Sequence, residues 1–409
     1  MNGEQTTYLS QGLDYYKATM SQSEFEHHPE AVVTFELKNR GANLLSEFVS
    51  PEELNDRLER LRHGWTPEEL AYLAGLQNQD GNAQFSEAYL DYLADSPLPG
   101  VDVSLNARGD IAAKTQGEWP LVTFWETVVM SELNELYFDN KLKAEGSSLD
   151  ELYGEGDRRL DEKIAILKDR PDIKFADFGT RRRFSYSWHK HVVERLAQEL
   201  PENFIGTSNI YLAHTLGLPP IGTYAHELPM VYASIAEKEG RNPLEGHKEM
   251  LNDWDDTYRG DLSTALTDTF TSEFFFADFT KEQAETWKGL RHDSGDPIEF
   301  GEQVIAFYEI YNINPKEKTI VFSDGLDLET IVILADHFKD RINVVFGWGT
   351  TLTNDLGIKT SNIVMKAVEV DGVGTVKLSD NVGKHTGDNA TIERYQEYVT
   401  ERVTEMAIL

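Results

Sequence analysis

At 409 residues the chain is long for a single core, and with 40% hydrophobic residues it has enough apolar material to fold, which excludes global disorder. Its 71 acidic against 38 basic residues give a formal charge of -33, which excludes non-specific nucleic-acid or anionic-membrane binding and leaves solubility or salt adaptation as readings of the surplus. With no cysteine, disulfides, thiolate zinc sites and cysteine nucleophiles are excluded as well.

Residues 1–16 carry neither the basic nor the apolar region of a secretion signal, and no apolar run reaches membrane-spanning length. A cytoplasmic protein without membrane association is expected. In chain order, residues 32–37 predict a strand, 51–61 and 67–76 short charged helices, and 101–114 a hairpin. Residues 123–138 form a long helical pattern that could join this region to the remainder of the chain.

From residue 172 onward, short apolar runs alternate with amphipathic stretches. The runs are 173–179, 204–207, 264–269, 319–323 and 343–347, and the helical stretches are 186–200, 229–239, 297–311 and 328–339. Repeated βα units of this kind predict a parallel sheet, and their number favours a barrel over an open sheet. Near the end, 363–370 and 374–378 flank Asp371-Gly372, a strong hairpin signal. The expected organisation is an α/β domain over 1–130, joined by 363–409, packed against a barrel over 131–362.

Candidate sites fall at the C-terminal ends of the predicted strands, where barrel enzymes place their chemistry. Asp177-Phe178-Gly179-Thr180-Arg181-Arg182-Arg183 puts three arginines beside an aromatic ring, suited to carboxylate or phosphate, or else to a solvated helix start. Gly206-Thr207-Ser208-Asn209 offers hydroxyls to a ligand or a cap to the next helix. Arg291-His292-Asp293-Ser294-Gly295-Asp296-Pro297 and Ser323-Asp324-Gly325-Leu326-Asp327 each pair carboxylates on a glycine turn, able to hold ribose hydroxyls or magnesium, or to cap a helix. Gly347-Trp348-Gly349-Thr350-Thr351 forms an anion nest, and Lys377 and Lys384 lie near glycines where they could meet a polyphosphate.

Gly222-Thr223-Tyr224-Ala225-His226-Glu227 places an imidazole on a glycine-entered loop, as a nucleophile toward phosphorus or a general base. Most lone histidines are structural. His226 needs a carboxylate to orient it, and Asp268, in Leu266-Thr267-Asp268-Thr269, is the candidate.

This ordered set, together with Gly12-Leu13-Asp14-Tyr15-Tyr16-Lys17-Ala18-Thr19-Met20 and Lys377-Leu378-Ser379-Asp380-Asn381, resembles the nicotinate phosphoribosyltransferases over nearly the whole chain. The resemblance implies an α/β fold in which an irregular (β/α) barrel packs against a smaller α/β domain, usually in a head-to-tail homodimer. It implies joining of nicotinate to 5-phosphoribosyl 1-diphosphate, coupled to ATP hydrolysis through phosphorylation of His226, with Mg2+ bridging the diphosphate. Asp268 resembles the carboxylate that orients that histidine. Phe178 and Tyr16 look like the pair that sandwiches the pyridine ring, Tyr16 arriving from a second subunit. Arg181, Thr223 and Arg291 resemble nicotinate contacts, and Asp293, Asp324, Gly349, Thr350, Lys377 and Lys384 resemble phosphoribosyl-diphosphate contacts. Where nicotinamide-specific relatives carry an aspartate, this chain has Ser208, which implies preference for nicotinate. Val382 stands where relatives have proline. A nicotinamide or quinolinate phosphoribosyltransferase, and a non-catalytic nucleotide sensor on the same fold, are the competing readings.

Overall fold

The computed structural model describes residues 8–408, with side chains described to residue 405. Among the described residues, eleven strands form two sheets: β1 (Val32–Asn39), β2 (Val101–Leu105), β3 (Ile111–Glu118), β4 (Phe175–Asp177), β5 (Phe204–Thr207), β6 (Thr264–Leu266), β7 (Gly289–His292), β8 (Thr319–Phe322), β9 (Asn343–Trp348), β10 (Ile363–Val370) and β11 (Val373–Gly374). The smaller sheet is antiparallel in the order β11-β10-β1-β3-β2, so the C-terminal hairpin pairs with the first strand of the chain. The larger sheet is parallel in the order β5-β4-β9-β8-β7-β6. An α/β barrel-like unit beside a smaller sheet is therefore the architecture, as the βα alternation predicted.

The two edges of the parallel sheet, β5 and β6, are bridged by the irregular segment 219–224. Ile221 donates its amide to the carbonyl of Thr207 at 2.9 Å, and the amide of Leu266 donates to the hydroxyl of Tyr224 at 3.0 Å. Gly206 permits this closure: its φ of 145° suits glycine, and a Cβ there would lie 2.3 Å from the carbonyl oxygen of Pro219. The histidine loop is thus the seam of the barrel.

Several expectations need correction. The strand β7 is absent from the predicted apolar runs, because its sequence Gly-Leu-Arg-His has one aliphatic residue; all four positions are nonetheless buried. The segment 374–378 does not continue the hairpin. After β11 the chain crosses to the barrel, where the amide of Leu378 donates to the carbonyl of Thr269 at 2.9 Å. The predicted helix over 123–138 is the helix Trp125–Glu145, which runs unbroken past residue 130.

A buried ion network locks the first helix, Tyr15–His27, to both units. Lys17, with none of its side chain exposed, sits between Glu126 at 2.5 Å and Glu227. Trp119 Nε1 donates to the other oxygen of Glu227 at 2.7 Å. Removing the cation alone would strand two buried carboxylates. Lys17→Met is expected to lower unfolding free energy by about 3–5 kcal/mol, and adding Glu227→Gln should restore part of it. Denaturant melts of the single and double variants check this; equal stability of Lys17→Met and wild type would refute it.

Candidate active site

Two cavities meet at the C-terminal ends of the parallel strands. The smaller, about 140 Å³, is lined by Tyr16, Phe178, Ser208, Thr223 and Asp14 among others. The larger, about 560 Å³, contains Asp324, Gly349, Thr350, Lys377 and Lys384. Arg181, His226, Arg291, Asp293, Phe178 and Gly347 border both. One chamber is narrow and partly aromatic, the other wide and cationic.

Tyr16 and Phe178 supply the aromatic surfaces of the small pocket. Both line one pocket within a single chain, which corrects the expectation that Tyr16 arrives from a second subunit: the first helix passes beside the barrel seam, with Tyr15 N donating to Ser208 O at 2.6 Å. The Phe178 ring lies against the backbone of β9, where a Cβ on Gly347 would come within 2.5 Å of it. The Arg291 guanidinium carbon lies 5.8 Å from the centroid of that ring. Arg291 is held in turn by Ser323 Oγ at 2.8 Å, the Tyr224 carbonyl at 3.3 Å and Asp293 at 3.4 Å. Thr223 accepts through its carbonyl from Thr19 Oγ1 at 2.9 Å.

His226 stands at the junction, immediately before the helix Glu227–Lys238. Its Nδ1 is 3.0 Å from Thr269 Oγ1, and its Nε2 is 2.9 Å from Asp293 Oδ2 and 2.8 Å from Lys377 Nζ. Asp268 lies 3.6 Å from Nε2, beyond hydrogen-bond length. The orienting contacts expected of Asp268 are therefore made by Thr269 and Asp293. Burial, then Lys377, depress the imidazole pKa below its ordinary value against the pull of Asp268 and Asp293, favouring the neutral ring. The 16% exposure of its side chain leaves the ring accessible from the cavity.

Asp268 is almost fully buried and accepts from Ser294 Oγ at 2.5 Å and Ser379 Oγ at 3.2 Å. Burial pushes its carboxyl up, but His226 and Lys377 outweigh this and hold it below the usual range. Its Oδ1 is buried with no partner. Ligand atoms of His226, Asp268 and Asp293 lie within 4.8 Å of one another. An orphaned carboxylate oxygen facing a second carboxylate fits a hard divalent cation such as magnesium.

The strand-end motifs divide their labour. Asp293 and Asp324 face the large cavity, whereas Asp296 and Asp327 cap the next helices, accepting from Ile298 N and Thr330 N at 2.8 Å each. Ser208 faces the small pocket while Asn209 caps its helix through Leu212 N at 3.0 Å. Of the three arginines, Arg181 and Arg182 face the large cavity; Arg183 is buried, bonded to the Gln11 carbonyl at 2.5 Å. Lys384 bonds the Asp293 carbonyl at 2.8 Å and Asp324 at 2.7 Å.

Sequence reasoning missed Asp14 as a pocket residue, Thr269 beside His226, and three contributors to the large cavity from the smaller sheet and its supporting helix: Arg40, Glu126 and Lys366. Arg40 and Lys366 carry no local signal, since each is a lone cation in or just after a strand. Asp14 does carry one, because it lies inside the motif over residues 12–20.

A parallel-sheet unit with an aromatic slot opening into a cationic chamber defines an enzyme that brings a planar ring to a polyphosphate. The sequence matches the nicotinate phosphoribosyltransferase (NAPRTase) family over residues 173–401 and the N-terminal domain of that family over residues 13–134. Among solved structures, a nicotinate phosphoribosyltransferase from Porphyromonas gingivalis is 31% identical, with a TM-score of 0.86, over 96% of this chain and 99% of that one. A putative nicotinate phosphoribosyltransferase from Saccharomyces cerevisiae is 27% identical, with a TM-score of 0.82, over 98% of this chain and 100% of that one. A nicotinate phosphoribosyltransferase from Vibrio cholerae is 26% identical, with a TM-score of 0.79, over 100% of this chain and 99% of that one. The chain belongs to the nicotinate phosphoribosyltransferase family.

The close seat of Phe178 on Gly347 gives a test of the small pocket. Gly347→Ala should push the ring into the slot and raise KM for the pyridine substrate at least tenfold, about 1.4 kcal/mol. KM for the phosphoribosyl donor should change far less. Steady-state kinetics with each substrate varied separate the two, and equal effects on both would contradict the assignment.

Proposed function

We propose that this chain joins nicotinate to 5-phosphoribosyl 1-diphosphate and couples the reaction to ATP hydrolysis through a phosphohistidine at His226. The observation that carries this reading is the position of His226 where the ring pocket opens into the cationic chamber. Nicotinate lies between Phe178 and Tyr16, its carboxylate toward Arg181, Ser208 and Thr223, with Arg291 over the Phe178 face. The donor's phosphates lie in the chamber against Gly349, Thr350, Lys377 and Lys384, and its ribose hydroxyls toward Asp293 and Asp324.

The ring nitrogen attacks the anomeric carbon, the carbon–oxygen bond to diphosphate breaks, and diphosphate leaves with the electron pair, giving nicotinate mononucleotide. Holding both partners in line at van der Waals range is the main service of the two walls. In the coupled half-reaction the neutral imidazole attacks the terminal phosphorus of ATP, ADP leaves, and water later cleaves the nitrogen–phosphorus bond. Lys377, 2.8 Å from Nε2, neutralises the transferred group. Asp268 and Asp293 would hold Mg2+, which when bound offsets phosphate charge. The product, a pyridine mononucleotide, places the reaction in NAD biosynthesis from nicotinate, and a cytoplasmic homodimer is the form expected from the family resemblance.

Formation of nicotinate mononucleotide with and without ATP tests the reading, with stimulation by ATP as the expected result. Incubation with labelled ATP should give acid-labile, base-stable protein phosphate that disappears in His226→Ala. Label surviving in that variant would move the phosphoacceptor elsewhere. Ser208→Asp should raise KM for nicotinate more than tenfold, because like charges in contact cost several kcal/mol. Unchanged kinetics would place Ser208 outside the ring pocket.

A further inference from the structure

The hydroxyl of Ser208 has one hydrogen, and it is already in use: Oγ lies 2.6 Å from Oδ1 of Asp14. Both residues are 2% exposed and both line the ring pocket. While Asp14 is ionised, this wall presents a carboxylate and a hydroxyl whose remaining capacity is to accept. A nicotinate carboxylate only accepts. It would find no donor there and would face a like charge.

The two arginines of the pocket, Arg181 among the groups the substrate carboxylate faces, already have protein partners. Arg181 is turned toward Glu126 at 3.4 Å, and Arg291 is engaged by Ser323, the Tyr224 carbonyl and Asp293. With Asp14 and Asp293 ionised, the pocket's two carboxylates already balance its two guanidinium groups. Adding nicotinate leaves an unbalanced negative charge in a buried space, which is costly unless a proton enters with it.

We propose that Asp14 is a positioning residue that makes nicotinate binding proton-linked: it takes up one proton as nicotinate binds, donates it to Ser208 Oγ, and so turns the Ser208 hydrogen toward the substrate carboxylate. The inference rests on the nicotinate reading above. The proton comes from solvent, forms an O–H bond on Asp14 and breaks no bond in the protein. The net charge of the occupied pocket then equals that of the empty one. Nicotinamide, which brings a neutral amide with its own N–H donors, suits the ionised wall and recruits no proton.

The surroundings of Asp14 are compatible with this exchange. Burial lifts its carboxyl above the ordinary carboxylate range; Arg181 and the hydroxyls of Ser208 and Thr180 oppose that lift, and Asp177 adds to it. Tyr16, on its own helix, is the remaining titratable neighbour, and burial pushes its phenol far up, so it stays neutral. A second carboxylate in contact raises Asp14 further. Nicotinate affinity is therefore constant below the pKa of Asp14 in the free protein. Above it, affinity falls tenfold per pH unit until the higher pKa of the bound state is passed.

Calorimetric titration of the full chain with nicotinate, in buffers of different ionisation enthalpy from pH 5 to 8.5, counts the protons. The expected result is an uptake approaching one proton inside that window for wild type, with Kd rising tenfold per pH unit. Asp14→Asn should remove that uptake, flatten the pH profile and bind nicotinate at pH 8.5 at least as tightly as wild type. Nicotinate binding by wild type without proton uptake at any pH would overturn the proposal, whatever the variant's stability. Unchanged uptake in a folded Asp14→Asn protein would overturn it as well. No nicotinate binding and no mononucleotide product would instead overturn the substrate reading, and this inference with it.

Discussion

The ammonium of Lys17 is buried with Glu126 on one side and Glu227 on the other, and the walls of the active site hang from that contact. Tyr16, its neighbour in sequence, is thereby presented to the ring pocket. Glu227 is the residue after His226, so fixing it fixes the start of the helix that follows that imidazole. Glu126 also accepts from Arg181 at 3.4 Å. Dehydrating three charges costs several kcal/mol each, and attraction repays that only when each carboxylate finds further donors. Trp119 and Arg181 provide them, which is why the network can be buried and why its geometry is unique.

The same logic of paired charge operates at larger scale. A chain with a formal charge of -33 gathers Arg40, Arg181, Arg182, Arg291, Lys366, Lys377 and Lys384 around one chamber. Their mutual repulsion is legible in the pKa of Lys366, pushed down to about 7 by burial and then by Lys377 and Arg40. Burial and Arg181 likewise push Arg182 down to about 10. A polyanion bound in a chamber that strains its own cations would relieve a cost already present in the folded protein. The acidic remainder of the surface is no obstacle, since at physiological salt its field is screened within about 8 Å.

Most of the barrel was readable because its strands are short apolar runs ending in glycine or small polar residues, and its helices carry apolar faces. What escaped reading was non-local. The role of β7 was hidden because burial there depends on neighbours on both sides rather than on its own composition. Residues 374–378 resemble a hairpin strand by local pattern, yet beyond β11 the structure carries the chain across to Thr269, delivering Lys377 to His226. The paired aspartates were ambiguous between ligand and cap because the answer is both: the first of each pair faces the chamber and the second caps a helix. Asp268 was expected to orient His226, yet it stands 3.6 Å from the ring, and the hydrogen-bond contacts to that imidazole come from Thr269, Asp293 and Lys377.

The irregular seam of the barrel is what makes the site possible. A regular strand between β5 and β6 would direct each backbone amide and carbonyl into ladders with those neighbours. Here, among the described residues, only Ile221 and Pro219 bond β5 in that way. Further along, the Thr223 carbonyl is free to accept from Thr19 on the first helix, and the Tyr224 carbonyl from Arg291 in the pocket. The Tyr224 hydroxyl meets the edge of β6 in place of a backbone group. Groups that a strand would use for pairing thus anchor the two elements that shape the ring pocket. The loop that results is held on three sides while leaving the His226 ring open to the chamber, which a pleated strand packed between two others could not do.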